Sequence, residues 1–252
     1  NLPVDLMVCS SHVQPDDHLI VIKPVSEFTI PVYRQQKMRI PNYLSVQRWF
    51  RRGNYSRIIC STEGPMGFAA LWLKNVFSVE TFFYLHTDWM MFAQEALSIE
   101  QRGLKRLQRA LRIYYNRYDS IFVLNTDQQQ WLTGTRMKFD PARVFLTAHW
   151  ADPVFTEPSH SPPENFRFET QRPVILYAGR ISREKGVMEL PGIFEKIKSV
   201  FPEVQMVVAG TGPAEKELQS AMPEAFYLGW VGREQLPELY RAADILVLPS
   251  RF

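Results

Sequence analysis

The sequence predicts an α/β protein in two domains, and three observations carry that expectation. Short apolar runs of strand length alternate with longer amphipathic segments through both halves of the chain. Two of those runs, 57–61 and 174–177, lead at once into a glycine-containing turn and then a helical apolar pattern. Between the halves, residues 155–172 (FTEPSHSPPENFRFETQR) are rich in Pro, Ser and Glu and lack any period, as a linker does. The expected division is therefore 1–154, a linker over 155–172, and 173–252.

The bulk properties agree with a globular chain. Hydrophobic residues make up 46% and charged residues 22% of the 252 residues. No apolar run reaches the length of a membrane span, and no secretory signal is visible at Asn1. The start without Met suggests a trimmed N-terminus. Cys9 and Cys60 sit in apolar contexts and read as reduced core residues of a cytoplasmic protein. The five His form no metal-spaced cluster. Net charge is +3, unevenly placed: 18 Lys+Arg face 14 Asp+Glu as far as Pro158, and 11 face 12 beyond it. That tilt is too small, and too poor in recognisable modules, to suggest nucleic acid as a partner.

Taken in order, residues 3–9 and 19–22 read as strands separated by the Gln14-Pro15-Asp16-Asp17 turn, and Pro24 closes the second. Asp16 and Asp17 read as turn residues rather than catalytic carboxylates. Asn42 is placed to cap a helix through Leu44, Val46 and Phe50, which Arg51-Arg52-Gly53 would end. The strand at 57–61 runs into Thr62-Glu63-Gly64-Pro65-Met66-Gly67 and an apolar helix to Val76. Residues 81–85 form a strand that delivers His86-Thr87-Asp88-Trp89 at its carboxyl end, where open α/β sheets bind ligands. Thr87 and Asp88 suit the N-cap of a helix containing Met91, Phe92 and Ala96.

Glu100 to Tyr118 carries the strongest helical pattern. Leu104, Leu107, Leu111, Tyr114, Tyr115 and Tyr118 form one stripe, with Arg102, Lys105, Arg106, Arg109 and Arg112 largely outside it. Those cations read either as an ordinary solvated face or as a contact for anionic headgroups. A strand at 120–124, a helix capped by Thr126 and a strand at 143–147 complete the first half.

In the second half, Val174-Ile175-Leu176-Tyr177 suits a strand covered on both faces. Ala178-Gly179 turns the chain, and after a basic segment Gly186 opens a helical face of Val187, Leu190, Ile193, Phe194, Ile197 and Phe201. The first amides of a helix lack intrahelical partners, so this unit can hold an anion. Arg180 would act as a planar fork and Lys185 as a point charge on a diphosphate. The residues alone equally allow a surface turn with solvated charges.

The motifs in series resemble those of the group 1 glycosyltransferases, which retain anomeric configuration and have the GT-B fold. G-R-x-x-x-x-K-G at Gly179 to Gly186 resembles the donor-phosphate loop of that family. Val207 to Pro213 resembles its second strand and G-x-G-P turn, and FYLGWV at 226–231 its f-x-G-x-v segment. Leu239-Tyr240, Ala243-Asp244-Ile245 and Leu248 to Arg251 resemble l-Y-x-x-A-D-i-x-v-l-P-S-R. The resemblance implies two Rossmann-like doubly wound domains facing across a cleft.

It further implies transfer from a UDP-, GDP- or ADP-sugar, with no separate cofactor, to a lipid-linked or saccharide hydroxyl. Arg180 and Lys185 would stabilise the leaving diphosphate, since no D-x-D cluster offers a metal, and Gly179 belongs to the same loop. Gly210 and Gly212 would let the backbone approach the nucleotide, and the main chain at Trp230 and Val231 would border the base. On the acceptor side, Thr62 to Gly67 resembles t-P-G-P-l-G, which brings in Gly64. Glu63 replaces a proline there, either as a helix-start acid or as a group holding a polar acceptor. Y-H-T-D-f places His86 beside the donor sugar.

The chain also departs from the pattern. Ala148-His149-Trp150-Ala151-Asp152 stands where N-G-v-D is usual, so only Asp152 fits. The family's N-terminal glycine-rich loop and its E-x7-E pair are not in this sequence. The expectation is a second domain that is incomplete, weak nucleotide binding and little or no transfer by this chain alone. An alternative is a non-catalytic nucleotide- or sugar-binding protein of the same architecture. A nicotinamide-dependent dehydrogenase fits poorly, because no strand is followed by G-x-G-x-x-G with a later acid. A cytoplasmic, bacterial enzyme, with peripheral contact to the inner face of an anionic membrane, completes the expectation.

Overall fold

The computed structural model describes residues 4–30, 33–95, 99–148, 153–155 and 172–250. Ala96, the 149–152 crossover, nearly all of the expected linker and Arg251 lie outside the described residues. The chain divides into two compact units, 1–149 and 150–252.

In the first unit, β1 (Leu6–Cys9) and β2 (Leu19–Ile22) pair in parallel, joined through a turn in which Asp16 Oδ1 accepts from the His18 amide at 2.9 Å. Strands β3 (Pro24–Ile30) and β4 (Tyr33–Pro41) then form an antiparallel hairpin with Phe28 opposite Met38. The sequence reading ends its strand at Pro24 and leaves this region unassigned. Proline is tolerated at the first residue of a strand, and that is where Pro24 sits.

Helix α1 (Tyr43–Gly53) is capped by Asn42, whose side chain accepts from the Ser45 amide at 3.0 Å. Its end is not made by Gly53, which is still helical. Asn54 takes the left-handed position, φ 49°.

The main sheet of this unit contains β5 (Arg57–Cys60), β6 (Glu80–Leu85), β7 (Ser120–Val123) and β8 (Val144–Leu146), parallel and in sequence order. The connections carry α2 (Pro65–Phe77), α3 (Trp89–Glu95), α4 (Gln101–Tyr115) and α5 (Thr126–Thr133). Phe83, Leu85, Ile121 and Val123 pack against Leu111, Tyr114, Tyr115 and Tyr118 in one core. Asp88 caps α3, accepting from the amides of Met90 and Met91. Asn125, not Thr126, caps α5: its side chain accepts from the Gln128 amide at 2.8 Å. Two adjacent residues suit a cap there, and the extended one precedes the first helical turn.

The second unit has a parallel sheet in the order β11 (Phe226–Gly229), β10 (Gln205–Ala209), β9 (Val174–Ala178), β12 (Ile245–Leu246). Alternate residues of β9 enter two cores. Ile175 and Tyr177 join Leu190, Phe194 and Leu218, from α6 (Leu190–Lys198) and α7 (Glu215–Ala221). Val174 and Leu176 join Leu239 of α8 (Leu236–Arg241). Burial on both faces explains the unbroken apolar run. Asp244 fastens the edge: its carboxylate accepts from the Val174 amide at 2.8 Å.

The helical face expected from Gly186 onward starts later. Residues 183–185 and 187–189 form 3-10 turns, and α6 begins at Leu190 with Pro191 in its first turn. Phe201 falls beyond α6 and is exposed. Among the described residues no helix is long and apolar enough to cross a membrane.

Candidate functional site

Because the second sheet is parallel, the segments after β9, β10, β11 and β12 all leave from its carboxyl edge. Gly179 and Arg180 follow β9, Gly210 and Gly212 follow β10, and Trp230 and Val231 follow β11. The structure thus collects these six residues, expected at the diphosphate and the nucleotide, along one edge, whereas His86 belongs to the first unit.

Backbone hydrogen bonds join those segments. The Gly179 amide donates to Ala209 at 2.9 Å, and the Ile181 amide to Thr211 at 3.0 Å. The Gly210 amide reaches Gly229 at 2.6 Å, and the Ala214 amide returns to Ile181 at 3.1 Å. This seam requires glycine. At Gly210, φ is 134°, and an added Cβ would lie 1.9 Å from the Gly179 carbonyl oxygen. An added Cβ at Gly212 would lie 2.1 Å from the Ile181 oxygen. In the structure both glycines admit the neighbouring loop.

Arg180 is exposed, and its backbone is fixed from within. The buried Tyr177 hydroxyl donates to the Arg180 carbonyl at 2.7 Å. Burial, with Glu184 nearby, pushes the Tyr177 phenol up to about 12, so it remains a donor. Sequence reasoning took Tyr177 only as a core residue of the strand; no local pattern marks its hydroxyl contact.

Lys185 is half-buried and lies in the first 3-10 turn. The amides there do not form the open helix start expected from the sequence. The Lys185 amide donates to Ser182 and the Gly186 amide to Arg183. Gly186 has φ 67°, and a Cβ on it would meet the Pro249 carbonyl oxygen at 2.0 Å. The segment after β12 therefore passes directly against the Lys185–Gly186 turn. Ser182 between the two cations is fully buried, and its hydroxyl has no partner among the described residues. Trp230 is 77% exposed, a broad indole face at the same edge, whereas Val231 packs toward Leu239.

On the first unit, Gly64 and His86 follow the neighbouring strands β5 and β6 at their carboxyl ends. Gly64 precedes α2 with an ordinary φ of −76°. His86 is exposed, with Nδ1 3.4 Å from the Tyr84 carbonyl and its ring stacked on Tyr84 at 6.2 Å. Three phenols from the C-terminal end of α4 and the turn after it hold the loop before α2 and the first turn of that helix. Tyr114 donates to the Thr62 carbonyl at 3.0 Å, Tyr118 to Gly67 at 3.1 Å and Tyr115 to Glu63 Oε1 at 2.6 Å. Burial raises all three phenol pKa values. Glu63 is thus tied to a core tyrosine, a contact spanning 52 residues that no local pattern announces. Among the described residues, no group of His, Cys, Asp and Glu could hold a metal ion.

Comparison with known proteins adds to this geometry. The family described as Glycosyltransferase Family 4 matches residues 3–175, and that described as Glycosyl transferases group 1 matches residues 162–252. A GDP-mannose-dependent alpha-mannosyltransferase of Corynebacterium glutamicum is 30% identical over 133 residues, covering 49% of this chain and 31% of that protein. Sucrose-phosphate synthase from Thermosynechococcus elongatus superposes with a TM-score of 0.71 at 16% identity, over 95% of this chain and 62% of that one. HepE of Anabaena, solved with UDP-glucose, gives 0.63 at 16% identity, over 82% and 56%. The chain spans about a third of the mannosyltransferase and less than two thirds of either structure.

Proposed function

The chain belongs to Glycosyltransferase Family 4, and on that premise we propose that the complete protein moves a sugar from a nucleoside-diphosphate sugar to a hydroxyl acceptor with retention of configuration. The donor, a UDP-, GDP- or ADP-sugar, is a substrate, and no separate cofactor takes part. It binds at the carboxyl edge of the second sheet, with Gly179, Gly210 and Gly212 in the loop frame and the main chain at Trp230 and Val231 bordering the base. His86 stands beside the sugar and Gly64 on the acceptor side.

One observation carries this reading: Arg180 and Lys185 project from a backbone already held by the Tyr177 hydroxyl, the Ile181–Thr211 bond and the Gly186–Pro249 packing. As the bond between the anomeric carbon and the diphosphate oxygen breaks, negative charge grows on the leaving group. Cations set in advance where that charge develops lower the barrier without reorganising during the step. The guanidinium offers a planar fork to phosphate oxygens and the ammonium a compact charge. Family membership and the HepE likeness, in a structure holding UDP-glucose, support the donor class.

The acceptor in this reading is a saccharide or a lipid-linked hydroxyl. The protein works in the cytoplasm, and a lipid-linked acceptor would bring it to the inner face of a membrane. The test is turnover of the complete protein with its donor. Lys185→Ala and Arg180→Ala should each lower it by about 10²–10³, the effect of losing one oxyanion-type contact. Unchanged turnover in Lys185→Ala would overturn the assignment.

A further inference from the structure

The outer face of α4 carries charge that the donor chemistry does not use. Arg102, Lys105, Arg106, Arg109 and Arg112 are all exposed. They lie away from the side of α4 that buries Leu104, Leu111 and Tyr115. Arg136, from the turn after α5, joins them: with Lys105, Gln108, Arg109 and Arg112 it lines a shallow groove. An adjoining depression is lined by Arg109, Arg112, Ile113 and Asn116. Two separate elements thus converge their cations on one surface.

None of these six cations is ion-paired among the described residues. Like charges at i,i+4, as at Arg102/Arg106 and Lys105/Arg109, weaken a helix rather than stabilise it. The stripe is therefore not explained by the stability of α4. Amid the cations stands Ile113, 64% exposed. An exposed branched apolar side chain sharing a depression with Arg109 and Arg112 suits an interface with a charged surface layer and an apolar layer beneath it.

We propose that this face docks on an anionic lipid bilayer, with headgroup phosphates seated between Arg109, Arg112 and Arg136 and Ile113 entering the acyl boundary. Arginine forks match phosphate oxygens, and the attraction acts within about a Debye length of the surface. Nucleic acid would supply phosphates too, but it gives Ile113 no apolar layer to enter. The proposal stands on the groove alone and does not depend on the donor assignment.

The experiment is co-sedimentation of the full-length protein, without donor, with vesicles of mixed phosphatidylglycerol and phosphatidylcholine, against vesicles of phosphatidylcholine alone. Binding should favour the anionic vesicles and weaken with salt. The double substitution Arg109→Glu, Arg112→Glu should lower it by at least about tenfold, with the thermal transition unchanged. Ile113→Asn should weaken vesicle binding while leaving retention on heparin, a soluble polyanion, as it was. Equal binding to both vesicle types would overturn the proposal. So would an anionic preference that survives the double substitution, or an Ile113→Asn variant that binds vesicles normally. Duplex DNA or inorganic phosphate displacing the protein from vesicles at concentrations where the phospholipid fails to compete would replace the bilayer with a soluble anion.

Discussion

The hydroxyl of Tyr177 and the carbonyl of Arg180 are joined by a 2.7 Å hydrogen bond that closes the turn leaving β9. The tyrosine is buried and the arginine exposed, so a core side chain sets the backbone of a surface cation. Tyr177→Phe removes only that contact and leaves a backbone acceptor without its donor. Stability should fall by about 1–2 kcal/mol, read by urea unfolding. Nucleotide-sugar affinity of the complete protein should fall as well. A variant with unaltered stability and affinity would deny the tyrosine its positioning role.

Two glycines expected at the site should respond differently to alanine. Gly210→Ala places a Cβ against the Gly179 carbonyl on a backbone of φ 134°, and about 3 kcal/mol or more should be lost. Gly64→Ala meets nothing nearer than Thr62 Oγ1 at 3.4 Å on an ordinary φ, so it should cost no more than about 1 kcal/mol, the loss of a favoured N-cap residue of α2. Thermal denaturation of the pair decides; equal losses would show that the seam after β10 is not the tight contact described.

The buried phenols of the first unit offer a third test. The Tyr118 hydroxyl lies 3.1 Å from the Gly67 carbonyl and 2.8 Å from the Tyr114 hydroxyl, and its single proton is shared between these two acceptors. Tyr118→Phe should cost about 0.5–1.5 kcal/mol, because the Gly67 carbonyl and the Tyr114 hydroxyl each lose a buried hydrogen-bond partner. Faster amide exchange around residues 62–67 would accompany it. Protection in that segment equal to the parent's would mean that the loop is held by other contacts.

In the β3–β4 hairpin, Glu27 accepts from Lys37 at 2.9 Å and from Arg39 at 2.6 Å. Those hydrogen bonds lower its pKa from 4.5 to about 2. For a carboxylate with a depressed folded pKa, the stabilisation is present above 4.5 and is lost as pH falls through about 2. A side-chain NMR titration should therefore give a midpoint near 2 for Glu27. A midpoint at its ordinary value would show that the two pairs do not persist in solution.

Legibility in the sequence followed burial and locality. The run Val174 to Tyr177 was readable because both faces of β9 are covered, and the α4 stripe because one face enters the core. Asn42 and Asp88 were readable as caps because a cap acts within three residues. The β3–β4 hairpin left no trace, since Val25 and Phe28 stay exposed and a two-stranded ribbon imposes no apolar alternation. The start of α6 is later than the stripe implies because Val187, its first residue, lies in a 3-10 turn, and Leu190-Pro191 opens the α-helix; the spacing alone does not separate the two. The Tyr115–Glu63 bond depends on tertiary packing and has no local signature. The gathering of loops at the second sheet's edge was readable, whereas the close fit of Gly210 and Gly212 against the neighbouring loop has no local signature.

The bonded turns after β9 and β10 also restrict how this chain can vary. A residue inserted into one turn would displace its amides from the carbonyls of the other, and both would have to be rebuilt together. Recombination between divergent relatives should therefore be tolerated when it exchanges the 178–214 span as a block, and poorly when the junction separates the two turns.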